Sequence, residues 1–302
     1  MNDLYEAMDA PRYCGIPTFM RTPYITDLND IDIAFLGIPY DGAVEARSGA
    51  RQGPRQIRDY SSMMRKIHHV SRINPYELCR VGDVGDVQFQ KIFDVGSSHQ
   101  DIQQFIEKLH NASVIPISAG GDHSVTLPIL RTLGKEAPLG LIHIDAHTDC
   151  CDEEMNSRYS HGTPFRRAVE EGILDPKRTV QIGIRGAANS EECWEFGPKH
   201  GIRIIYIEEF SRLGVAKVIQ EARNIVGDQK TYLSFDIDGI DPAFTPGTGT
   251  PEIGGIMPIQ AQEMIRGFRK CNIVGADLVE VAPPFDPSGN TALIAATMMY
   301  EM

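Results

Sequence analysis

The chain has 302 residues, of which 42% are hydrophobic and 23% are charged. This length is enough to bury a large core without disulfides or a structural zinc ion, and it sets a prior of about two domains. Acidic residues outnumber basic ones by 41 to 29, which gives a net charge of −12. Such an excess argues against nucleic acids and anionic membranes as partners, because both present negative phosphates.

The sequence contains no apolar run long enough to span a membrane, and its first residues lack the basic and apolar regions of a secretory signal. Its six cysteines show neither the paired spacing of a zinc site nor the density of a disulfide framework. We therefore expect a soluble, reduced protein of the cytoplasm. In such a protein Cys150 and Cys151 would be small packing residues.

Short β-branched segments alternate along the chain with longer segments of helical spacing. Strands are predicted at 31–39, 113–118, 140–145, 179–184, 202–207, 231–236 and 273–281. Helices are predicted at 100–110, 125–133, 165–173, 218–226 and 259–268, the first with Ser98 as its N-cap. Strands that are apolar nearly throughout are typical of a parallel sheet covered on both faces. The unbroken alternation predicts one α/β domain, with a mostly parallel central sheet flanked by helices on both faces.

Polar residues follow several of the predicted strands, at the ends where open α/β sheets bind ligands. The segments are Gly120–Ser124 (GGDHS), Asp145–Asp149 (DAHTD), Asp236–Asp241 (DIDGID) and Asp277–Val281 (DLVEV). Alternate residues of an extended chain share a face, so Asp145, His147 and Asp149 are expected to point the same way. Carboxylates this close raise each other's pKa unless a cation lies between them.

The number of candidate ligands indicates two metal ions. Four carboxylates and two imidazoles are too many for one tetrahedral zinc ion, but they suit two octahedral ions that share bridging carboxylates. An oxygen-rich set with some imidazole favours Mn²⁺ and leaves Ni²⁺, Fe²⁺ and Co²⁺ open. Two ions about 3.5–4 Å apart lower the pKa of a shared water towards neutrality. The site therefore predicts hydrolysis at an unreactive carbon.

The same segments resemble the ureohydrolase family, which includes arginase, agmatinase, guanidinobutyrase and proclavaminate amidinohydrolase. The matching blocks are GGDHS at 120–124, DAHTD at 145–149, SFDIDGIDPAFTPGTGTPEIGG at 234–255 and VEVAPPFDPSGNTALIAA at 279–296. With weaker matches the resemblance covers nearly the whole chain, and the agmatinase-like branch fits better than arginase. It implies a single arginase-like domain over residues 1–302, with 1–30 as an N-terminal extension packing on it.

The resemblance also implies a role for each site residue. One ion of a binuclear manganese centre, or of a nickel centre, would be held by His123, Asp145, Asp149 and Asp236; the other by His147, Asp238 and the bridging Asp145 and Asp236. Hydroxide between the ions would attack a guanidinium carbon and release urea and an amine. Glu280 would grip the guanidinium, and His161 would carry a proton to the leaving amine, because imidazole titrates near neutrality. Family members are commonly trimers or hexamers, so a homo-oligomer is expected.

Two residues give opposite indications about the substrate. Val44 and Glu45 stand where agmatinases usually carry a Thr-Ser pair, so Glu45 is a candidate contact for a cationic or neutral tail. Arg158 would attract a carboxylate and favour a guanidino acid such as 4-guanidinobutyrate. The expected substrate is therefore agmatine or a guanidino acid, with another guanidine or a biguanide as an alternative.

Two other hypotheses remain at this stage. The chain could be a catalytically silent, metal-binding subunit that needs a related partner chain, although its complete ligand set argues against this. It could also be a deacetylase-like amidohydrolase, which would hold a single zinc ion. Four further residues are expected to orient ligands or to bond to nearby backbone: His143, Asp122, Asp241 and Asp277.

Overall fold

Eight parallel strands form the central sheet of the structure, a computed structural model that describes residues 6–302. The strands are β1 (Ile33–Gly37), β2 (Val81–Asp86), β3 (Ile115–Ala119), β4 (Leu139–Ile144), β5 (Leu174–Ile184), β6 (Arg203–Tyr206), β7 (Thr231–Asp236) and β8 (Ile273–Val279). Their order across the sheet is β2-β1-β3-β8-β7-β4-β5-β6. The predicted single-domain α/β fold is confirmed.

Strand β2 was missed by the sequence analysis because its sequence, VGDVGD, is rich in Gly and Asp, which are depleted in strands. Two residues outside this strand bind the buried carboxylate of its Asp83 through hydrogen bonds. Arg58 donates to Asp83 at 2.7 Å, and the backbone N–H of Phe19 donates to the same carboxylate at 2.9 Å. The other seven strands overlap the predicted segments.

Helices cover both faces of the sheet. They are α1 (Gly53–Ser61), α2 (Pro75–Leu78), α3 (Val95–Asn111), α4 (Thr126–Leu133), α5 (Pro164–Glu170), α6 (Glu192–His200), α7 (Ile207–Leu213), α8 (Val215–Val226), α9 (Pro258–Gly267) and α10 (Asn290–Glu301). The five predicted helices correspond to α3, α4, α5, α8 and α9. Ser98 is not the N-cap of α3, because Asp94 accepts from the Ser97 N–H at 2.6 Å and begins the helix earlier.

The core lies in two layers, one on each side of the sheet. On β4, Leu139 and Leu141 belong to the layer that contains buried residues of α3, α4, α5 and α6, whereas Ile142 and Ile144 belong to the layer that contains those of α1, α7, α8, α9 and α10. This alternation follows from the period of two in a strand, and it makes β4 apolar on both faces. None of the helices within residues 6–302 is long and apolar enough to cross a bilayer.

The segment before β1 contacts the domain through a short 3₁₀ turn at Phe19–Arg21. Phe19 and Met20 are buried there, and the N–H of Met20 donates to Ser61 on α1 at 2.8 Å. The first five residues of the predicted 1–30 extension lie outside the described part of the chain.

Candidate metal centre

Four neighbouring strands at the middle of the sheet, β3, β8, β7 and β4, carry the polar segments at their carboxyl ends. Because all four strands are parallel, these ends meet at one edge and bring the segments together. The backbones approach so closely that a side chain at Gly121 would lie 1.5 Å from the carbonyl oxygen of Tyr40. Glycine is required at that position.

His123 lies at the centre of one group of carboxylates. Its Nδ1 is 2.8 Å from Asp149 and 3.2 Å from both Asp145 and Asp236. This nitrogen is buried and has no hydrogen-bond partner within residues 6–302. An imidazole nitrogen without a partner, faced by three carboxylate oxygens, has the environment of a metal ligand.

His147 occupies the centre of a second group. Its Nδ1 is 3.1 Å from Asp238 and 3.5 Å from the other oxygen of Asp145. Gly186 leaves room for the ring, because a Cβ there would lie 2.4 Å from it. Asp145 thus presents one oxygen to each histidine, which is the arrangement that a bridging ligand requires.

The buried carboxylates repel one another. Burial, followed by the charges of Asp238 and Asp145, raises the pKa of Asp236 well above its usual range. Burial also opposes ionisation of Asp145, but the three imidazoles of His143, His123 and His147 hold its pKa well below the usual value. Such crowding is costly without positive charge between the carboxylates, and divalent cations would supply that charge.

Residues Asp145–Asp149 do not continue β4 as an extended strand, as the period-of-two argument assumed. Strand β4 ends at Ile144, and Asp149 adopts a left-handed backbone with φ of 51°. Asp145 and Asp149 still converge on His123 because the chain turns between them. Glu280, immediately after β8, has φ of 65°, so a second site residue occupies a conformation that non-glycine residues rarely adopt.

His161 and Glu280 meet beside this cluster. Nδ1 of His161 lies 3.3 Å from the Glu280 carboxylate, and Nε2 lies 2.7 Å from Glu45. Glu280 also accepts from the backbone N–H of His123 at 2.9 Å, which fixes it against the first carboxylate group. The two predicted catalytic residues and Glu45 are therefore contiguous with the metal-ligand candidates.

A cavity of about 410 Å³ opens onto the cluster. Its lining includes Glu45, His147, Asp149, His161 and Asp236. Arg158 does not belong to the lining. It forms an ion pair with Glu170 on α5 at 2.8 Å, and its side chain is 57% exposed, so the prediction that it faces a substrate tail disagrees with its position in this chain.

Comparison with known proteins identifies the family. The family model described as Arginase family matches residues 31–302. The chain belongs to the arginase family. It is 55% identical to guanidinopropionase of Pseudomonas aeruginosa, over 98% of this chain and 93% of that protein. It is 44% identical to mitochondrial agmatinase of Gallus gallus, over 96% of this chain and 86% of that protein.

A solved structure agrees with this assignment. Proclavaminate amidinohydrolase of Streptomyces clavuligerus superimposes with a TM-score of 0.91 at 36% identity, covering 97% of this chain and 98% of that chain. These similarities place the protein in the agmatinase-like branch of the arginase family, as the sequence motifs predicted.

One feature of this arginase-family chain was not expected. Cys151 forms a disulfide with Cys193 at the start of α6, so the prediction of a reduced chain is wrong. The two cysteines are 42 residues apart, and their spacing carries no signal of pairing. Both line the cavity. Cys150 is a buried free thiol, consistent with a packing role.

Several residues hold the candidate metal ligands in place through hydrogen bonds. Asp277 and His143 were expected next to the ligands, but their partners were not predicted. Ser234 donates to Asp277 at 2.7 Å and contacts Nε2 of His123 at 2.9 Å. His143 lies 2.7 Å from Asp145, and Gln181 lies 3.0 Å from His143. Ser234 on β7 and His143 on β4 lie on the same face of the strand as the ligand that follows each of them. This alternation was the sequence signal that could have predicted their contacts.

Asp122 and Asp241 bond to backbone, as expected. Asp122 accepts from the N–H groups of Ala43 and Ser124. Asp241 accepts from those of Ala243, Gly254 and Gly255. Neither carboxylate is free to bind a metal ion without losing these bonds.

Proposed function

We propose that the protein is a binuclear-metal amidinohydrolase that cleaves the guanidino group of a small compound to urea and an amine. The observation that carries the proposal is Nδ1 of His123, which has no hydrogen-bond partner in the described part of the chain and faces three carboxylates next to a second histidine–carboxylate group. Guanidinopropionase and agmatinase, by their names, act on guanidino compounds, and their similarity to this chain supports the same reaction class.

The ligands would divide between two ions. We propose that His123, Asp145, Asp149 and Asp236 hold one ion, and that His147, Asp238 and the shared Asp145 and Asp236 hold the other. The oxygen-rich set favours Mn²⁺, and the two imidazoles also suit Ni²⁺. When bound, the two cations supply the positive charge that lowers the pKa of a shared water and polarises the guanidinium carbon.

The chain's own groups would bind the substrate and move the proton. Glu280 is 2% exposed and lies between His123 and His161, so its carboxylate is placed to pair with a guanidinium beside the metal ligands. His161 points Nδ1 towards the same carboxylate. It can therefore give a proton to the amine nitrogen as the carbon–nitrogen bond breaks.

For the substrate tail, similarity to guanidinopropionase supports a guanidino acid. A second candidate is a guanidine or biguanide with a cationic or neutral tail, such as agmatine, and the cavity lining favours it. Among the described residues, the lining contains neither Lys nor Arg but has five glutamates: Glu45, Glu153, Glu154, Glu192 and Glu252. A negative wall repels a tail carboxylate.

We propose a homo-oligomer of three or six chains in the cytoplasm, with a related partner chain as the alternative, and no nucleic-acid or membrane partner. Light scattering of the purified protein, alone and with a co-expressed relative, measures the assembly.

The test is a urea-release screen of the purified chain loaded with Mn²⁺ or Ni²⁺ in turn. The substrates are agmatine, arginine, 3-guanidinopropionate, 4-guanidinobutyrate, guanidine and a biguanide. Urea from a guanidino acid supports the first tail class, and urea from agmatine or the biguanide supports the second. Absence of urea from every compound rejects the enzyme and favours a silent subunit. One zinc ion per chain would instead favour a deacetylase-like site.

A further inference from the structure

We propose that Glu45 is a positioning residue that fixes the tautomer of His161, and that it is not a contact for the substrate tail. This inference rests on the proposed function, because it concerns the group that would deliver the proton to the leaving amine. It applies to a residue that differs from the Thr-Ser pair usual in agmatinases.

The geometry places His161 between two carboxylates. Nε2 of the ring is 2.7 Å from Glu45, and Nδ1 is 3.3 Å from Glu280. The Glu280 side chain is 3% exposed and that of Glu45 is 39% exposed, so one nitrogen faces the reacting centre and the other faces the cavity mouth.

The backbone holds this pair together. The N–H of His161 donates to the carbonyl of Ala43 at 3.1 Å, two residues before Glu45. The N–H of Ala43 donates in turn to Asp122, which lies beside His123. The loop that carries Glu45 is thereby bonded both to the segment that carries His161 and to the metal-ligand segment.

The hydrogen bond determines which proton can move. When Glu45 accepts the Nε2–H, that proton stays in place and the transferable proton is the one on Nδ1. The Nδ1–H bond then breaks, a new N–H bond forms at the departing amine, and the electron pair of the broken C–N bond remains on that nitrogen. The ring is left neutral with Nε2–H. The next water that enters gives Nδ1 its proton back, and the hydroxide that remains is the nucleophile of the next turnover. A carboxylate fixes the histidine of serine proteases in the same manner.

The charges around His161 agree with this role. Burial opposes a charge on the ring, but the hydrogen bonds to Glu280 and Glu45 raise the pKa of His161 well above its usual range. The contact with His161 lowers the pKa of Glu45 to about 2. Three other acidic groups lie near the His161 ring: Asp149 after β4, Asp122 after β3, and Glu154. The charge of His147 also acts on Glu45.

Glu154 binds the segment around His161 and not its ring. It accepts from the hydroxyl of Ser160 at 2.6 Å and from the N–H of Gly162 at 3.3 Å, so it holds the backbone on both sides of His161. Glu45 is consequently the carboxylate that contacts Nε2 directly.

The test compares Glu45→Gln and Glu45→Ala with the wild type, on the best substrate from the screen. We expect Glu45→Gln to lower kcat about ten- to a hundredfold with little change in KM, because its amide N–H can bond to Nε2 and stabilise the wrong tautomer. The alkaline limb of the kcat–pH profile should move to lower pH, since His161 loses the carboxylate that favours its protonated form. Formate should partly restore kcat in Glu45→Ala.

A second readout does not depend on turnover. Nitrogen-15 NMR of the metal-free protein follows the His161 ring, assigned by comparison with His161→Asn, and should give a lower His161 pKa in Glu45→Gln. The control is Glu136→Gln, a matched charge change at the amino end of β4, which should leave both readouts unchanged. If kcat and the His161 pKa are unaltered while KM changes only for cationic substrates, Glu45 is a tail contact and the proposal is wrong. If the wild type releases no urea, the proposed function fails but the NMR result still decides the role of Glu45.

Discussion

The hydroxyl of Ser234 lies 2.9 Å from Nε2 of His123. Because this hydroxyl donates its proton to Asp277 at 2.7 Å, it accepts from Nε2–H, and the lone pair of His123 is left on Nδ1. That nitrogen faces Asp145, Asp149 and Asp236. The buried Ser234–Asp277 pair therefore prepares His123 to bind a cation.

Ser234→Ala should weaken metal binding about ten- to a hundredfold, because the tautomer and orientation of His123 are no longer fixed. Isothermal titration of the metal-free protein with Mn²⁺ measures the change. Ser98→Ala is the matched control, since Ser98 is also buried but lies on α3 and contacts the carbonyl of Lys91. Equal affinities for Ser234→Ala and the wild type would refute this role.

Asp236→Asn should stabilise the metal-free protein at pH 7, because Asn cannot ionise and is therefore free of the burial and the neighbouring carboxylates that raise the pKa of Asp236. It should also abolish stabilisation by metal. In the wild type, Mn²⁺ at about a hundred times its Kd adds about 2.7 kcal/mol to the free energy of unfolding for each ion bound. Thermal unfolding with and without Mn²⁺ tests both effects. A metal-induced rise in Tm that survives in Asp236→Asn would contradict the assigned ligand set.

Reduction of the Cys151–Cys193 disulfide should lower the free energy of unfolding by up to about 4 kcal/mol, the chain-entropy value for a loop of this length. For a protein of this size the expected fall in Tm is about 6 °C. Dithiothreitol and the variant Cys151→Ser/Cys193→Ser should act alike, whereas Cys14→Ser changes an exposed thiol and should have no effect. Unchanged Tm in the double variant would show that the disulfide does not constrain the unfolded chain.

His99 gives the protein an acid-dependent loss of stability. Burial, with a smaller effect of Arg131, lowers the pKa of His99 to about 4. The folded chain keeps this ring neutral, whereas the unfolded chain takes up a proton below about pH 6.5. The free energy of unfolding should therefore fall from pH 6.5 to 4, by up to about 3 kcal/mol, and this contribution should level off below pH 4.

The variant His99→Phe keeps a ring at this position but cannot be protonated. Urea unfolding between pH 7 and 4 should give a shallower decline for His99→Phe than for the wild type. His69→Gln alters an exposed ring and should follow the wild-type curve. Parallel curves for His99→Phe and the wild type would show that His99 is already protonated in the folded state.

The ligand cluster could be predicted from sequence because each candidate directly follows an apolar strand. Asp145 follows β4, and Asp236 ends β7, so the position of the strands fixes the position of the carboxylates. His123 reaches these carboxylates because the strands that carry them are neighbours in the sheet. This holds even though the backbone of 145–149 turns where an extended chain was expected.

The rest of the site depends on contacts that sequence spacing does not encode. Arg158 was expected to attract the carboxylate of a substrate tail, but it pairs with Glu170 on the following helix. Glu45 was predicted to face the tail, yet its nearest partner is His161, 116 residues later. Cys151 forms its disulfide with Cys193 because the loop after Asp149 packs against the start of α6. Each outcome is decided by tertiary packing of loop side chains.

The most direct test of the account is a titration of the metal-free chain with Mn²⁺, in which bound metal and urea release are measured together. We predict that the rate of urea release reaches its maximum at two equivalents of Mn²⁺ per chain, and that Asp236→Asn, which lacks the carboxylate shared by both ions, shows neither bound metal nor activity. Full activity at one equivalent, or no urea at any loading with any guanidino compound, would contradict a binuclear guanidino hydrolase.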